Sequence, residues 1–310
     1  MNTAEDLYPS RKSTEETVIE RMDPVVWSDS REPAPISRDR INRYERDGFL
    51  ILENLFSEEE VNCLKDELDR LRHDSLIAAR EETVTEPSSG AVRSIFAIHK
   101  LSPIFRRLAE DERIAAIARY ILDDEVYIHQ SRVNYKPGFQ GKGFNWHSDF
   151  ETWHVEDGMP RMRALSASIL LTDNTDYNGP LMLVPGSHTD YITCVGETPE
   201  DHYKQSLKKQ EFGVPSEQAL TRLYQRGGIV TSRAKAGSVI LFDCNTMHGS
   251  GGNISPLPRS NAFFVFNAMS NQVQAPFCHR KPRPEYISAR QHVEPLQPAR
   301  RTVEDYRSNA

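Results

Sequence analysis

Cysteine is scarce in this sequence, and no two cysteines are close enough to form a Cys-x-x-Cys motif. The chain of 310 residues has four of them, which are Cys63, Cys194, Cys244 and Cys278. Widely separated cysteines of this kind are typical of thiols that fill small spaces in a protein core. We therefore expect a protein of the reducing cytoplasm.

Long apolar runs and an excess of basic residues are also lacking. No apolar stretch approaches the roughly 20 residues of a membrane span. The first residues, Met1–Asp6, lack the charged and apolar regions of a secretory signal. The net charge is −7, and no run of Lys and Arg forms a basic stripe, which argues against a nucleic-acid partner. A hydrophobic content of 38% with 9% aromatics supports a packed core, so we expect a globular protein with neither a membrane nor a nucleic acid as its partner.

The distribution of polar residues predicts three regions. Residues 1–37 are polar, charged and without a clear period, which predicts an N-terminal arm on the surface that is partly flexible. Residues 38–300 carry the periodic apolar patterns of a single domain. Residues 301–310 are left as a C-terminal tail.

Helical patterns are concentrated in the N-terminal third of the domain. The stretch Ser37–Asp47 predicts a short helix, and Ser57 with Glu60 forms the capping-box pattern that opens a second one. Residues 82–92 predict a loop, which could act as a lid over a site. A polar helical insertion is expected from Thr198, as its cap, to about Gln210.

Short apolar strands separated by Gly and Pro turns dominate the rest of the chain. This spacing is typical of a sandwich or barrel. With the helices near the N-terminus, it predicts a mainly β fold with flanking helices, built on a double-stranded β-helix of the jelly-roll or cupin-like kind. The predicted strands are 49–52, 126–135, 164–172, 181–184, 229–232, 238–242 and 262–267.

The stretch Phe144–His154 carries the first chemical signal. His147 and Asp149 are two residues apart, so on a β-strand their side chains would point to the same face. His248 follows the apolar strand 238–242 and supplies a third donor from a distant part of the chain. Two His and one carboxylate with open positions are the ligand set of non-haem Fe(II) oxygenases. The sequence therefore predicts an Fe(II) site at these three residues.

Four other residues are alternative ligands, and we rank them below the first three. His154 is seven residues after His147, which places it on the opposite face of a straight strand. His188 follows a Pro-Gly turn, which favours a structural role. The remaining two alternatives are Asp157 and Asp243.

Arg259 follows His248 by eleven residues and precedes a predicted strand. An Fe(II) centre that hydroxylates needs two further electrons, which 2-oxoglutarate supplies by oxidative decarboxylation. Its distal carboxylate requires a cation, and the planar guanidinium of Arg binds a carboxylate through two charge-assisted hydrogen bonds. We therefore expect Arg259 to bind 2-oxoglutarate, although a surface charge is the usual role of a single Arg.

Several segments together resemble a known family. They are Asp47–Leu52, Trp146–Asp149, Val184–His188 and the stretch from His248 to Arg259, and they are similar to the phytanoyl-CoA dioxygenase-like family of Fe(II)/2-oxoglutarate oxygenases. Within that family, Gln130–Phe139 and Phe144–Ser166 resemble members that hydroxylate ectoine. The likeness extends from about residue 40 to 290.

This resemblance implies a reaction and a set of binding residues. Ectoine, 2-oxoglutarate and O2 would give 5-hydroxyectoine, succinate and CO2, in the biosynthesis of a compatible solute, by a protein that is a homodimer. The resemblance places Asn134, Phe144, Ser168 and Ser250 with Arg259 at 2-oxoglutarate, and it places Gln130, Thr152, Trp153 and Arg283 at ectoine. Trp153 would provide a cation–π contact and Arg283 would pair with the substrate carboxylate.

Two alternatives remain open. One is another small-molecule hydroxylase of the same family, with the same iron site and a different pocket. The other is a cupin-like protein that binds metal and ligand without turnover. Release of succinate that depends on 2-oxoglutarate and O2 distinguishes an enzyme from the second alternative.

Overall fold

Two antiparallel β-sheets face each other at the centre of the molecule. The computed structural model describes residues 6–29, 33–85, 90, 92–139, 143–206 and 212–307. The strands are β1 Val18–Glu20, β2 Phe49–Leu52, β3 Thr83–Thr85, β4 Val92–Phe96, β5 Val126–Lys136, β6 Phe144–His147, β7 Ala164–Leu170, β8 Leu181–Leu183, β9 Asp190–Ile192, β10 Val230–Thr231, β11 Val239–Asp243, β12 His248–Ser250 and β13 Arg259–Ala268.

The strand order confirms the predicted double-stranded β-helix. The larger sheet has seven strands in the order β2-β11-β7-β13-β5-β4-β3, and the smaller has the order β10-β8-β12-β6. Because most neighbouring strands, apart from β3, β4 and β5, are non-consecutive in sequence, residues far apart in the chain meet between the two sheets. A separate pair, β1 with β9, attaches the N-terminal region to the domain.

Helices flank the two sheets, in agreement with the predicted fold. They are α1 Arg38–Asp47, α2 Glu58–His73, α3 Ser75–Ala78, α4 Ile98–Leu101, α5 Pro103–Ala109, α6 Glu112–Leu122, α7 Asp149–Thr152, α8 Tyr203–Ser206, α9 Glu217–Gly227 and α10 Val303–Tyr306, with a π-helix at Trp153–Asp157 and 3-10 turns at Ser187–Thr189 and Met269–Asn271. No helix in the described ranges is both long and apolar enough to cross a membrane.

The helical layer packs on the outer face of the larger sheet. The Ser57 hydroxyl accepts a hydrogen bond from Glu60 N, and the Glu60 carboxylate accepts one from Ser57 N, which is the predicted capping box at the start of α2. The buried face of α2, with Leu64 and Leu68, joins one continuous core with Phe264 of β13. The opposite face of β13 is thereby left to line the space between the sheets.

The N-terminal region is not the surface arm that the sequence predicts. Tyr8 and Arg11 are buried, at 0% and 6% exposure, and Arg21 forms a buried ion pair with Asp243. Buried polar pairs of this kind leave no periodic pattern in the sequence, which is why composition misleads here. Residues 6–23 cross the domain surface as an ordered segment, which we call the N-terminal strap.

The predicted tail, residues 301–310, is also packed against the domain as far as the structure describes it. Tyr306 is fully buried, and its hydroxyl donates to the Asp111 carboxylate at 2.6 Å. The proposed boundary at residue 300 therefore does not separate this segment from the domain.

Two local expectations change as well. The predicted loop 82–92 contains β3 and the start of β4, which pair as a hairpin, while residues 86–89 and 91 of the candidate lid lie outside the described residues. In the insertion after Thr198, helix begins only at Tyr203. Thr198 instead accepts a hydrogen bond from Arg11, and residues 207–211 lie outside the described ranges.

Candidate active site

His147 and His248 meet because β6 pairs with β12. Their Cα atoms are direct partners in the antiparallel register of the smaller sheet. Their ring centroids are 4.3 Å apart. Asp149 completes the group, with its Oδ1 3.6 Å from His147 Nε2 and its Oδ2 3.8 Å from His248 Nε2. Ligand atoms of all three residues lie within 4.8 Å of one another, which fits one metal ion.

The predicted triad is therefore assembled, although one step of the sequence argument is wrong. His147 is the last residue of β6, and Asp149 is the first residue of α7 rather than a second position on the same strand. The residue between them, Ser148, is extended, with φ −101° and ψ 130°. One extended residue reproduces the two-residue alternation locally, and the chain turns into a helix directly after it.

Hydrogen bonds from the backbone orient both imidazoles. Nδ1 of His147 lies 2.7 Å from the Asn145 carbonyl, and Nδ1 of His248 lies 2.9 Å from the Thr246 carbonyl. Since a carbonyl can only accept, each Nδ1 carries the proton and each Nε2 presents a lone pair. This is the tautomer that a metal ion at Nε2 requires.

The charge state of the group also suits a metal. Burial, with His147 beside it, lowers the pKa of His248 to about 4. Burial alone would raise the pKa of Asp149, but His248 and His147 hold it at about 2. Oδ2 of Asp149 is buried without a hydrogen-bond partner among the described residues. Two imidazoles whose Nδ1 atoms donate to backbone carbonyls and one ionised carboxylate form a donor set that fits non-haem Fe(II).

Alternating side chains of the larger sheet form the opposite wall of the pocket. The lining residues from this sheet are Ser94, Phe96, Gln130, Arg132, Asn134, Ser168, Leu170, Phe242, Arg259, Asn261 and Phe263. Their spacing of two along β4, β5, β7 and β13 follows from the strand period. The smaller sheet contributes Phe144, His147, Leu181, His248, Gly249 and Ser250.

Arg259 is a buried cation without a counter-ion. It is 9% exposed, and among the described residues its Nε has no hydrogen-bond partner and no carboxylate forms an ion pair with it. Burial lowers its pKa to about 10, which leaves it charged at neutral pH. A buried charge of this kind is costly unless a ligand pairs with it, so the site is built to receive an anion.

The other four residues expected at 2-oxoglutarate surround the same space. Asn134 accepts a hydrogen bond from Ser94, and Ser168 accepts one from Asn261. Ser250 accepts one from the Lys136 ammonium at 3.1 Å. Phe144 also lines the pocket. The structure thus brings all five together with the metal triad, and their binding role remains a prediction.

The four residues expected at the substrate line this pocket too. Thr152 and Trp153 lie three and four residues after the metal ligand Asp149 on the same helical segment. The Thr152 hydroxyl is buried without a partner in the described chain. Gln130 donates to the Ile287 carbonyl at 2.9 Å, which fixes the orientation of its amide, and its oxygen accepts from Arg132 Nη1 at 3.4 Å.

Arg283 already has an acidic partner. Its Nε and Nη2 donate to the two carboxylate oxygens of Asp157, at 2.7 and 2.5 Å. Burial would raise the pKa of Asp157, but Arg283 and His129 hold it at about 2. The charge of Arg283 is therefore largely compensated, and Nη1 takes no part in this pair.

The alternative ligands have other partners. His154 Nε2 lies 2.9 Å from Asp6 Oδ1, and His188 Nε2 lies 2.9 Å from the Glu45 carbonyl. Asp157 pairs with Arg283, and Asp243 with Arg21. The ranking of these four below the triad agrees with their positions.

Sequence reasoning missed Arg132. It lies between Gln130 and Asn134 on the pocket face of β5, and its guanidinium lies 4.5 Å from the centroid of the Phe263 ring. Its Nε has no hydrogen-bond partner in the described chain, and burial lowers its pKa. The two-residue alternation along β5 was the signal that could have identified it.

Known proteins resemble this chain over nearly its whole length. The family model for phytanoyl-CoA dioxygenase matches residues 44–261. The chain is 59% identical over 298 residues to the ectoine dioxygenase of Bordetella bronchiseptica, which covers 96% of this chain and 97% of that relative. The crystal structure of EctD from S. alaskensis with 2-oxoglutarate and 5-hydroxyectoine has a TM-score of 0.88 and 50% identity, covering 96% of this chain and all of that one. The same protein with bound Fe has a TM-score of 0.87 and 49% identity, with the same coverage.

Proposed function

Because the chain belongs to the phytanoyl-CoA dioxygenase family, we propose that it is an Fe(II)/2-oxoglutarate-dependent ectoine 5-hydroxylase. The reaction converts ectoine, 2-oxoglutarate and O2 to 5-hydroxyectoine, succinate and CO2. The observation that carries the proposal is one pocket that holds both the metal triad and an unpaired arginine, in a chain 59% identical to an ectoine dioxygenase.

The chain's own residues divide the work of binding. His147, Asp149 and His248 hold the iron, and Arg259 binds the distal carboxylate of 2-oxoglutarate. When bound, iron and 2-oxoglutarate supply the oxidising chemistry, in which decarboxylation provides two of the four electrons that O2 takes up and the substrate C–H bond provides the other two. The protein's contribution is to place the substrate carbon and to keep water out of the pocket.

Ectoine is a cyclic amidine with a carboxylate, and the pocket offers groups for both ends. The Trp153 ring is a wall against which the cationic ring can pack, a contact worth about 0.5–2 kcal/mol. The Thr152 hydroxyl lacks a partner in the described chain and is free to hydrogen-bond the substrate. Nη1 of Arg283 is the candidate for the substrate carboxylate, and the amide oxygen of Gln130, whose nitrogen donates to Ile287, can accept from an N–H of the amidine ring. Since Thr152 and Trp153 lie three and four residues after Asp149, one helical segment positions both substrate and metal.

The experiment is turnover by protein reconstituted with Fe(II) under anaerobic conditions. Ectoine, 2-oxoglutarate and isotopically labelled O2 are then added, and the products are identified by mass spectrometry. We expect one labelled oxygen in hydroxyectoine and one in succinate. Succinate without hydroxyectoine would indicate another substrate, and no succinate at all would indicate a binding protein without turnover.

The biological setting is a further part of this proposal. We infer that the enzyme makes a compatible solute in the cytoplasm under osmotic stress and is a homodimer. The chemistry of the product and the four cysteines, all free thiols, support the cytoplasmic setting, and the family resemblance supports the dimer. Light scattering coupled to gel filtration tests the dimer, for which a mass of one 35.4 kDa chain would be contrary.

A further inference from the structure

The helical segment that carries the active site has two differently used sides. Helix α7 continues directly into the π-helix, so residues 149–157 form one segment. Asp149, Thr152 and Trp153, at spacings of three and four, line the pocket. The side turned away from the pocket carries Phe150 and Glu151, and both contact the N-terminal strap.

Arg11 of the strap makes the densest of these contacts. Its Nε and Nη2 donate to the two carboxylate oxygens of Glu151, at 2.9 and 2.6 Å. Its Nη1 donates to Glu156 at 2.7 Å and to Thr198 at 3.0 Å. Ser10 adds a hydrogen bond to Glu151 at 2.7 Å. One guanidinium therefore joins two carboxylates that stand near opposite ends of the segment.

All three charged groups are buried. Arg11, Glu151 and Glu156 are 6%, 1% and 3% exposed. Removing one member of a buried ionic group is strongly destabilising, because the remaining charges lose their compensation. Without Arg11, Glu151 would lose its cation, and Glu156 would keep His202, whose Nδ1 lies 2.8 Å away, and the nearby charge of Arg283. Such a segment can regain hydration only by moving toward solvent.

The strap is itself attached firmly at other points. Arg11 N donates to the Cys194 carbonyl at 2.8 Å, and β1 pairs with β9. The Tyr8 ring packs edge-on against Phe150 with 5.4 Å between centroids, and its hydroxyl donates to Asp23 at 3.0 Å. The backbone of Arg11 has a φ of 56°, an uncommon conformation that these surrounding contacts maintain. The strap is therefore a fixed support rather than a loose cover.

We propose that Arg11 is a positioning residue for the reaction. By holding Glu151 and Glu156, it fixes the segment whose other side presents Asp149 to the metal and Thr152 and Trp153 to the substrate. Arg11 itself contacts neither the metal nor the substrate, and it acts only through this segment. The part of this inference that concerns the substrate rests on the proposed function. It predicts that loss of Arg11 disturbs the placement of ectoine, whereas Arg259 on β13 still binds 2-oxoglutarate.

The test compares Arg11→Ala and Arg11→Lys with the wild type in the full-length protein. In Arg11→Ala, amide hydrogen exchange across residues 149–157 should rise by about tenfold or more, while exchange across β13 stays unchanged. The ectoine KM should rise by about tenfold or more, with 2-oxoglutarate consumption uncoupled from hydroxyectoine. The 2-oxoglutarate KM should stay unchanged. Arg11→Lys keeps the charge without the two-pronged geometry and should restore part of the coupling.

Arg113→Ala is the matched control. Arg113 also joins two carboxylates, those of Glu60 and Asp111, both at 2.7 Å, but it does so between helices α2 and α6 away from the pocket. This variant should lose thermal stability without any change in coupling. Equal loss of stability in both variants, with normal exchange at 149–157 and normal ectoine KM in Arg11→Ala, would reduce Arg11 to a structural ion pair and overturn the proposal.

Two provisions keep the test decisive. If Arg11→Ala does not fold, Arg11→Lys and Glu151→Gln are judged by the same criteria, because both preserve most of the buried shape. If the wild type does not hydroxylate ectoine, the proposed function fails, but hydrogen exchange at 149–157 still decides whether the strap holds the segment.

Discussion

Replacement of Arg259 is the sharpest test of how this pocket binds 2-oxoglutarate. Its guanidinium is buried and has no carboxylate partner in the described chain. Such a charge costs folding free energy until an anion arrives. Arg259→Met, which keeps much of the length and removes the charge, should therefore be at least as stable as the wild type without ligand.

The same substitution, Arg259→Met, should weaken the binding of 2-oxoglutarate. A hydrogen bond to a charged group is worth about 1.5–3 kcal/mol, and about 1.4 kcal/mol corresponds to a factor of ten. The apparent KM for 2-oxoglutarate should thus rise by about tenfold to about 150-fold in Arg259→Met. The KM of Arg259→Lys should lie between those of the wild type and Arg259→Met, because lysine keeps the charge but offers a single point contact.

Two assays follow this prediction independently. Succinate formation against 2-oxoglutarate concentration gives the KM, and the iron content of the variant should equal that of the wild type. Thermal unfolding with and without 2-oxoglutarate gives the stabilisation by ligand, which should be large in the wild type and nearly absent in the variant. An unchanged KM together with an undiminished thermal shift would refute the assignment and move the carboxylate clamp to another cation.

Three further predictions concern the rest of the site. His147→Ala and His248→Ala should each abolish iron retention, measured by metal analysis after gel filtration, and iron at wild-type stoichiometry in both would exclude the predicted centre. Trp153→Ala or Arg283→Ala should raise the ectoine KM and uncouple 2-oxoglutarate consumption from hydroxylation while leaving iron content intact, and full coupling in both would place the substrate elsewhere. Burial lowers the pKa of Lys136 to about 6. Because the ammonium form attracts the dianion, the 2-oxoglutarate KM should rise with pH above about 6, and Lys136→Met should remove this dependence; a slope that persists in the variant would assign it to another group.

Local pattern was sufficient to predict the donors of the metal site. His147 and Asp149 form a short motif, and His248 follows a recognisable apolar strand. The register that places His147 opposite His248 is a long-range property that no local pattern contains. The predicted reason for the direction of Asp149 was wrong, because the strand ends before it, yet one extended residue gave the same result.

Residues whose role depends on distant partners could not be predicted. Arg11 and Glu151 are 140 positions apart, and the polar composition around Arg11 suggested a surface arm. Arg283 was expected to pair with the substrate carboxylate, and nothing in the sequence indicated that Asp157 already pairs with it. In each case the decisive quantity is burial of a charge with its partner, which depends on the tertiary structure rather than on the nearby sequence.

The pairing of β6 with β12 has a consequence for how the protein acquires its activity. Closing a loop of about a hundred residues is entropically unfavourable, and sheets made of such distant contacts fold slowly. A nascent chain on the ribosome has His147 and Asp149 long before His248 emerges, so the partial site offers a metal two donors at most. High-affinity iron binding therefore waits until the second half of the jelly roll is made and docked, which couples loading with the metal to completion of the fold.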